Sequence, residues 1–263
     1  MQLQEEVREQ NAYRFQDVKN SENPEMRIEV FADADTAAQK AAGFIATEAR
    51  SAVVNRGSFV MAVSGGHTPW IMLRALASED APWKSVQVVQ VDERVAPDGS
   101  PERNLTHLRE SMLGRVPLPP GQLHAMPVDS PDLEAACQQY IQTLKTIVGS
   151  PPVLDLVHLG LGPDGHTASL VPGDSVLEVK DVNVALAGPY QGRRRMTLTY
   201  PILNRSRCVL WLVTGSDKVG MLARLVAGDS SIPAGRVQRN HALVLADRAA
   251  AERLGYDSKA VVA

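Results

Sequence analysis

A histidine in a glycine-rich segment carries the clearest chemical signal in this sequence of 263 residues. The segment reads GLGPDGHTASL over residues 160–170 and follows an apolar run at Leu154–Leu159. Because histidine titrates closer to neutral pH than other side chains do, His166 can take a proton from water. Asp164 lies two residues earlier and, if the loop folds back, could orient the imidazole ring or stabilise its charged form. The spacing alone is equally compatible with a contact between Asp164 and a sugar hydroxyl of the substrate. We predict that His166 and Asp164 are catalytic, although a lone histidine is more often structural.

The three glycines of this segment also match the dinucleotide-binding spacing GxGxxG, at Gly160, Gly162 and Gly165. A dinucleotide fold requires a complete crossover helix directly after the glycines. Pro172 and Gly173 interrupt any such helix. The glycines are therefore predicted to shape a loop that presents Asp164 and His166.

A second segment, SGGHTPW at residues 64–70, directly follows a predicted strand. Gly65 and Gly66 would allow the backbone to approach a ligand closely, Thr68 is a predicted N-cap, and Pro69 suits a first helical position. The N–H groups and the positive dipole end of the helix would then favour phosphate. An ordinary tight turn between a strand and a helix would have the same sequence.

Two further segments place charged side chains after or beside predicted strands. Arg94 could hold a substrate oxygen, and Asp92 could orient Arg94 or accept a sugar hydroxyl, unless the two form only a solvated ion pair. Arg195 adjoins an apolar strand and is predicted to point inward, whereas Arg193 and Arg194 are predicted to be solvated. Lys218 is predicted in the first turn of a helix, where a cation is unfavourable unless an anion binds nearby.

Composition and charge narrow the class of protein. The chain has 44% apolar residues and a net charge of −3, which exclude wholesale disorder and argue against a nonspecific nucleic-acid binder. Two cysteines and six dispersed histidines suggest no disulfide framework, no metal site and a reducing cytoplasm. No apolar run is long enough to span a membrane. Residues 1–26 are polar and are predicted to be a loosely ordered extension preceding a single domain at residues 27–263.

Strands and helices alternate along this domain. The predicted strands are Ile28–Phe31, Ser58–Val63, Val86–Val91, Leu154–Leu159, Val182–Leu186, Met196–Tyr200, Val209–Val213 and Leu243–Leu245. The predicted helices cover residues 35–55, with Asp33 or Asp35 as N-cap, and 69–78, 103–113, 131–148 and 217–227; residues 114–131 and 188–194 are predicted to be irregular. This alternation indicates an α/β fold with a mainly parallel sheet, in which ligands bind beyond the carboxyl ends of the strands.

At these residues the sequence resembles the 6-phosphogluconolactonases and, more distantly, the glucosamine-6-phosphate deaminases. The resemblance rests on Ser64–Pro69, on Asp92–Arg94 with Asn104, on Gly160–Pro172, on Arg195–Thr199 and on Gly215–Lys218, in that order along the chain. His67 stands where the family often has a small residue, and Val171 where it usually has phenylalanine.

The resemblance implies a three-layer α/β/α sandwich with a Rossmann-like sheet, and hydrolysis of 6-phospho-D-glucono-1,5-lactone in the oxidative pentose phosphate pathway without a cofactor or a metal. It implies that His166 is the general base, that Asp164 orients it, and that Arg94 contacts the lactone end. The implied phosphate-binding residues are Ser64, Gly65, Gly66, Thr68, Arg195 and Lys218. Asp92, Asn104 and Gly162 complete the expected substrate site. We expect a monomer, with an oligomer left open.

Two other functions would use part of the same residue set. A deaminase of amino-sugar phosphates would need a glutamate just before Pro172, where this chain has Val171. A sugar-phosphate sensor without turnover would keep the cations but would not need Asp164 or His166.

Overall fold

The computed structural model describes residues 26–255, so residues 1–25 of the predicted extension and the last eight residues of the predicted domain lie outside the described residues. The helices are α1 (Ala34–Arg56), α2 (His67–Leu76), α3 (Asn104–Ser111), α4 (Leu133–Val148), α5 (Tyr200–Leu203) and α6 (Val219–Val226). The strands are β1 (Arg27–Phe31), β2 (Phe59–Val63), β3 (Val86–Gln90), β4 (Asp92–Arg94), β5 (Leu123–His124), β6 (Leu156–Leu159), β7 (Val184–Tyr190), β8 (Arg193–Leu198), β9 (Val209–Val213) and β10 (Ala242–Asp247).

Seven strands form one sheet in the order β1-β10-β9-β6-β2-β3-β5. Each neighbouring pair in this sheet is parallel. Strands β2, β6 and β9 are buried along their whole length, as expected for a parallel sheet covered on both faces. The predicted α/β fold with a mainly parallel sheet is confirmed.

Two apolar cores lie on opposite faces of this sheet. Phe59, Met61 and Val63 of β2 pack with α1, α2 and α3, whereas Val60 and Ala62 pack with α4, α6 and the strands β7 and β8. This alternation follows from the two-residue period of a strand. The predicted three-layer arrangement is confirmed, and one outer layer includes a small sheet as well as helices.

The local sequence of helix α1 determines where the helix begins and ends and which face is buried. Asp33 caps its N-terminus, with Oδ1 accepting a hydrogen bond from the Thr36 N–H at 2.8 Å. Gly57 ends it with a φ of 80°, which glycine adopts at little cost. Its buried face is mostly alanine, which lets the helix lie close to the sheet. The helix predicted over residues 35–55 is confirmed, with Asp33 as the cap.

The prediction that residues 188–194 are irregular was wrong. Strands β7 and β8 form an antiparallel hairpin whose turn residues, Gln191 and Gly192, have φ values of 54° and 79°. Positive φ at both central residues is the requirement of a type I′ hairpin turn. Because no Asn-Gly or Asp-Gly pair marks this turn, the hairpin was missed.

The antiparallel sheet β4-β8-β7 also departs from the prediction. The strands predicted at Val182–Leu186 and Met196–Tyr200 belong to it rather than to the main sheet. β4 and β5 were not predicted, because Asp92–Arg94 is charged and Leu123–His124 is only two residues long.

Helix starts differ slightly from the prediction. α2 begins at His67 with Gly66 as its N-cap, so Thr68 lies inside the helix and is not its cap. Lys218 ends a 3₁₀ turn, Ser216–Lys218, that leads into α6. A glycine with positive φ precedes each of these helical segments, Gly66 at 127° and Gly215 at 98°. Each segment therefore begins one or two residues before the start that the apolar pattern predicts.

Candidate active site

The parallel sheet brings the carboxyl ends of its strands to one edge. The segments after β2, β6 and β9 therefore leave the sheet on the same side, and β4 follows β3 after a single residue. These segments carry every predicted site residue except Asn104, which begins α3, and Arg195, which lies in β8. Ligands bind at this edge in open α/β sheets.

His166 and Asp164 form a close pair in the loop after β6. Asp164 Oδ1 lies 2.6 Å from His166 Nδ1 and also accepts the His166 backbone N–H at 3.1 Å. Since an ionised carboxylate only accepts, Nδ1 carries the proton and Nε2 has the free lone pair. Partial burial favours a raised pKa for Asp164, but these hydrogen bonds outweigh it and hold the pKa of Asp164 below its ordinary value. The pair is geometrically suited to accept a proton at Nε2.

Gly162 and Gly165 shape the loop that presents this pair. The Gly162 N–H donates to the His166 carbonyl at 2.8 Å, and the Gly165 N–H to the Gly162 carbonyl at 3.0 Å. A Cβ at Gly162 would overlap the His166 ring, and Gly165 has a φ of 84°. The loop therefore folds back on itself, which is the condition for contact between Asp164 and His166.

Tyr190 contacts the pair from the hairpin tip. Its hydroxyl donates to Asp164 Oδ2 at 3.3 Å, and its ring packs edge-on against His166 with the centroids 5.1 Å apart. Sequence reasoning missed Tyr190, because it lies in the stretch predicted to be irregular.

Arg195 points inward, as predicted, and is 5% exposed, whereas Arg193 and Arg194 are exposed. Its guanidinium lies over the Tyr190 ring, 5.2 Å from the centroid, and its Nη1 is 3.8 Å from Asp92 Oδ2. Burial lowers the pKa of Arg195, and the charge of Asp92 opposes that shift. Arg195 nevertheless remains a cation at neutral pH, because a guanidinium is a very weak acid.

Asp92 is the link between several elements. Its Oδ2 accepts from the Ser169 hydroxyl at 2.5 Å, and its Oδ1 from the Asn104 amide at 3.2 Å. Arg94 donates to Asn104 Oδ1 at 2.7 Å. Asp92, Arg94, Asn104 and Arg195 thus form one contiguous polar cluster, and Ser169 joins it to the loop of His166.

Glu93 is fully buried beneath this cluster. Its Oε1 accepts the N–H groups of Arg94 and Asn104, and its Oε2 accepts the N–H of Leu105 and the Gln90 amide, each at 2.8 Å. A carboxylate at the first residues of α3 satisfies N–H groups that have no partner within the helix. Glu93 therefore fixes Arg94 and Asn104. The alternation of side chains along a strand indicates that Glu93 points to the face opposite to Asp92 and Arg94. It does not indicate which groups Glu93 contacts.

The segment Ser64–Thr68 lies on a buried support. The Ser64 hydroxyl donates to the His158 carbonyl at 2.9 Å, and the Ser64 N–H to His158 Nδ1 at 3.4 Å. A Cβ at Gly65 would overlap the Asn104 amide, so this loop touches the cluster described above. His158 is fully buried, and burial lowers its pKa to about 4. It is therefore neutral at pH 7, which leaves Nδ1 the lone pair that accepts the Ser64 N–H.

The turn that holds Lys218 is tied to the Ser64–Thr68 segment. The Thr68 and Thr214 hydroxyls are 2.6 Å apart, and the Gly215 N–H donates to the Asp247 carboxylate at 3.0 Å. Lys218 Nζ lies 2.8 Å from Asp217 Oδ2 in a partly exposed ion pair. Direct contacts thus run from His166 through Tyr190, Arg195, Asp92 and Asn104 to Gly65. Thr68, three residues further along that segment, contacts Thr214.

Among residues 26–255 no group of three or more histidine, cysteine or carboxylate side chains converges as a metal site would require. Within that same range no helix combines the length and the apolar character needed to cross a membrane. Cys137 and Cys208 are both free thiols.

Comparison with known proteins gives a consistent result. Residues 32–245 match the family described as glucosamine-6-phosphate isomerases/6-phosphogluconolactonase. The chain is 34% identical over 236 residues to a 6-phosphogluconolactonase of Synechocystis, covering 87% of this chain and 98% of that protein. It is 36% identical over 241 residues to a 6-phosphogluconolactonase of Mycobacterium tuberculosis, covering 86% and 98%. The solved 6-phosphogluconolactonase of Trypanosoma cruzi superposes with a TM-score of 0.81 at 23% identity, covering 90% of this chain and 100% of that one, and shows a shared fold.

Proposed function

Because this chain belongs to the family of glucosamine-6-phosphate isomerases and 6-phosphogluconolactonases, we propose that the site described above hydrolyses 6-phospho-D-glucono-1,5-lactone to 6-phospho-D-gluconate. The chain is an enzyme of sugar-phosphate metabolism, a lactone hydrolase of the oxidative pentose phosphate pathway. The 6-phosphogluconolactonases of Synechocystis and Mycobacterium tuberculosis align with this chain over 98% of their own length. The observation that carries the proposed chemistry is the 2.6 Å contact between His166 Nδ1 and Asp164 Oδ1, with no hydrogen bond at Nε2 from any of residues 26–255.

His166 is the general base in this proposal. Its Nε2 takes a proton from water, and the resulting hydroxide attacks the lactone carbonyl carbon. Asp164 holds the proton on Nδ1 and stabilises the imidazolium that forms. When the tetrahedral intermediate collapses, the bond between the carbonyl carbon and the ring oxygen breaks and His166 returns the proton to that oxygen. General-base catalysis of this type accounts for about 10²–10⁴-fold in rate.

The cations divide between the two ends of the substrate. Arg94, fixed by Asn104 and by the Glu102 carbonyl, contacts the lactone end and stabilises negative charge on the carbonyl oxygen. Asp92 and Asn104 complete that side of the site, and Gly162 gives His166 the space it occupies.

The phosphate group is held by Ser64, Gly65, Gly66, Thr68, Arg195 and Lys218. The first N–H groups of α2 have no partner within the helix and face an anion favourably. Lys218 would exchange its exposed partner Asp217 for the phosphate, which costs little because exposed ion pairs are worth about 0–1 kcal/mol. Arg195 is already buried and pre-positioned.

Two rival functions fit the residues less well. A deaminase would use a glutamate where this chain has Val171, which has no proton to give or accept. A sensor without turnover would gain nothing from a paired Asp164 and His166 beside its anion site.

The proposed role in sugar-phosphate metabolism supports a location in the cytoplasm. The free thiols of Cys137 and Cys208 support the same location.

The test is comparative turnover on freshly prepared 6-phosphogluconolactone and on glucosamine 6-phosphate. We expect lactone loss well above the spontaneous rate and no ammonia release from the amino sugar. Ammonia release at a comparable rate would replace the lactonase proposal with the deaminase, and binding of both sugars without turnover would support the sensor.

A further inference from the structure

Tyr190 lies at the end of β7, where its side chain reaches both members of the catalytic pair. Its hydroxyl binds Asp164 Oδ2, while the other carboxylate oxygen, Oδ1, binds His166 Nδ1. Its ring meets the His166 ring at an interplanar angle of 62°. Aromatic pairs favour this edge-on arrangement. Both oxygens of Asp164 and one edge of His166 are therefore held in place.

The same residue also holds Arg195. The guanidinium lies 5.2 Å from the centroid of the Tyr190 ring, and Nη2 donates to the Tyr190 carbonyl at 3.3 Å. A cation over an aromatic ring gains about 0.5–2 kcal/mol, with the larger values for desolvated pairs. Arg195 is thus fixed by both the side chain and the backbone of Tyr190.

On the premise of the proposed function, we propose that Tyr190 is a positioning residue that couples the His166–Asp164 pair to the phosphate-binding Arg195. The hydroxyl keeps Asp164 aligned on Nδ1, so that Nε2 points at the attacking water. The ring keeps Arg195 at a set distance from that pair. A phosphate bound at Arg195 would then hold the lactone carbonyl in register with the base, which is where positioning contributes to rate.

The environment of the hydroxyl supports its role as a donor. Desolvation and the negative charge of Asp164 raise the pKa of Tyr190, so it stays protonated at neutral pH. The 3.3 Å hydrogen bond to Asp164 is long. Such bonds are often long in a free enzyme and shorten when substrate binds.

Tyr190→Phe removes the hydroxyl and keeps the ring over Arg195. We expect kcat on 6-phosphogluconolactone to fall about 3–10-fold with KM within about twofold, the scale of one hydrogen bond. Among residues 26–255, the charged groups in contact with His166 or with the Tyr190 ring beside it are Asp164 from its own loop and Arg195 from β8. Without the hydroxyl, Asp164 presents more negative charge to the imidazole and favours its protonated form. The acid limb of the kcat/KM profile should therefore move to higher pH.

Tyr190→Leu removes the ring as well. We expect KM for 6-phosphogluconolactone to rise a further ~3–30-fold over Tyr190→Phe, as loss of the cation–ring contact implies. KM for unphosphorylated gluconolactone should not change between the two variants. An equal rise for both lactones would mean that Tyr190 supports the site in general and would overturn the coupling.

The matched control is Tyr200→Phe, which removes a phenol hydroxyl that donates to the Pro233 carbonyl at 2.9 Å. We expect its pH profile to match that of the wild type. An NMR titration of the His166 imidazole without substrate, in the wild type and in Tyr190→Phe, measures the effect of the Tyr190 hydroxyl on His166 independently of turnover. If the titration midpoint rises in Tyr190→Phe, the role of the hydroxyl at the His166–Asp164 pair stands even if the wild type proves to act on another sugar phosphate. An unchanged midpoint together with an unchanged acid limb would refute it.

Discussion

Two histidines eight positions apart serve opposite ends of this site. His158 lies in β6, fully buried and neutral, beneath Ser64. His166 lies in the loop after β6, with a side chain 21% exposed and paired with Asp164. We call His158 and Glu93 the buried floor, since both hold loops from below, and His166, Asp164 and Lys218 the open rim. From this contrast we expect polar residues of the floor to stabilise the fold, and those of the rim to bind the substrate and carry out the proposed reaction.

The largest effect should come from the rim. His166→Ala removes the proposed base, and we expect kcat/KM on 6-phosphogluconolactone to fall by about 10²–10⁴-fold. The free energy of unfolding should change by less than about 1 kcal/mol, because the side chain is partly exposed. The measurement combines lactone turnover, corrected for spontaneous hydrolysis, with urea denaturation.

The control for this substitution is His241→Asn, at an exposed position with a φ of 61° that asparagine tolerates. It should leave turnover unchanged. Wild-type turnover in His166→Ala would remove His166 from the mechanism and, with it, the distinction between rim and floor.

How much of the site could be predicted depends on where the contacts come from. Asp164, Gly162 and His166 interact within one turn, so their spacing along the chain was informative. The fold class followed from alternating strands and helices in the same way. Tyr190, Glu93 and His158 depend on a hairpin, a helix N-terminus and a strand pairing that join distant segments. No local pattern encodes those pairings, and a charged residue such as Glu93 gives no sign in the sequence that it is fully buried.

Within the floor, we expect Glu93 to contribute most to the free energy of unfolding. Glu93→Ala leaves the N–H groups of Arg94, Asn104 and Leu105 and the Gln90 amide without their acceptor. We expect a loss of about 3–5 kcal/mol in the free energy of unfolding, the scale for removing one partner from a buried charged network. Glu93→Gln, which keeps the volume, should lose less than Glu93→Ala.

Glu102→Ala is the matched control, since Glu102 forms an exposed ion pair with Arg193 at 2.6 Å. It should cost no more than about 1 kcal/mol in chemical denaturation. If Glu93→Ala proved as stable as Glu102→Ala, the buried carboxylate would not be a structural element and the floor would have to be redefined.

His158 makes the stability of the floor depend on pH. Its pKa is about 4 in the folded protein and 6.5 in an unfolded chain, because burial disfavours the charged form. The unfolded state therefore binds more protons between pH 4 and 6.5. The contribution is fully present above pH 6.5 and is lost as pH falls toward 4, in total about 3 kcal/mol. His158→Leu should lose less stability than the wild type between pH 7 and 4.5, as measured by urea denaturation; equal losses would show that other groups set the acid limit.

A substitution at Arg195 tests whether burial alone distinguishes structural residues of the floor from substrate-binding residues. It is buried like the floor, and among residues 26–255 its Nε has no hydrogen-bond partner. His158 Nε2 in the floor has none either, but His158 is neutral whereas Arg195 is a cation. A cation held with unused donor capacity is suited to an anion that arrives from outside. We therefore expect Arg195→Ala to raise KM for 6-phosphogluconolactone by about 10–100-fold, the worth of one or two charge-assisted hydrogen bonds. KM for unphosphorylated gluconolactone should stay the same, and Arg193→Ala, at the exposed end of the same strand, should change neither value. Equal losses on the two lactones would place Arg195 with the floor.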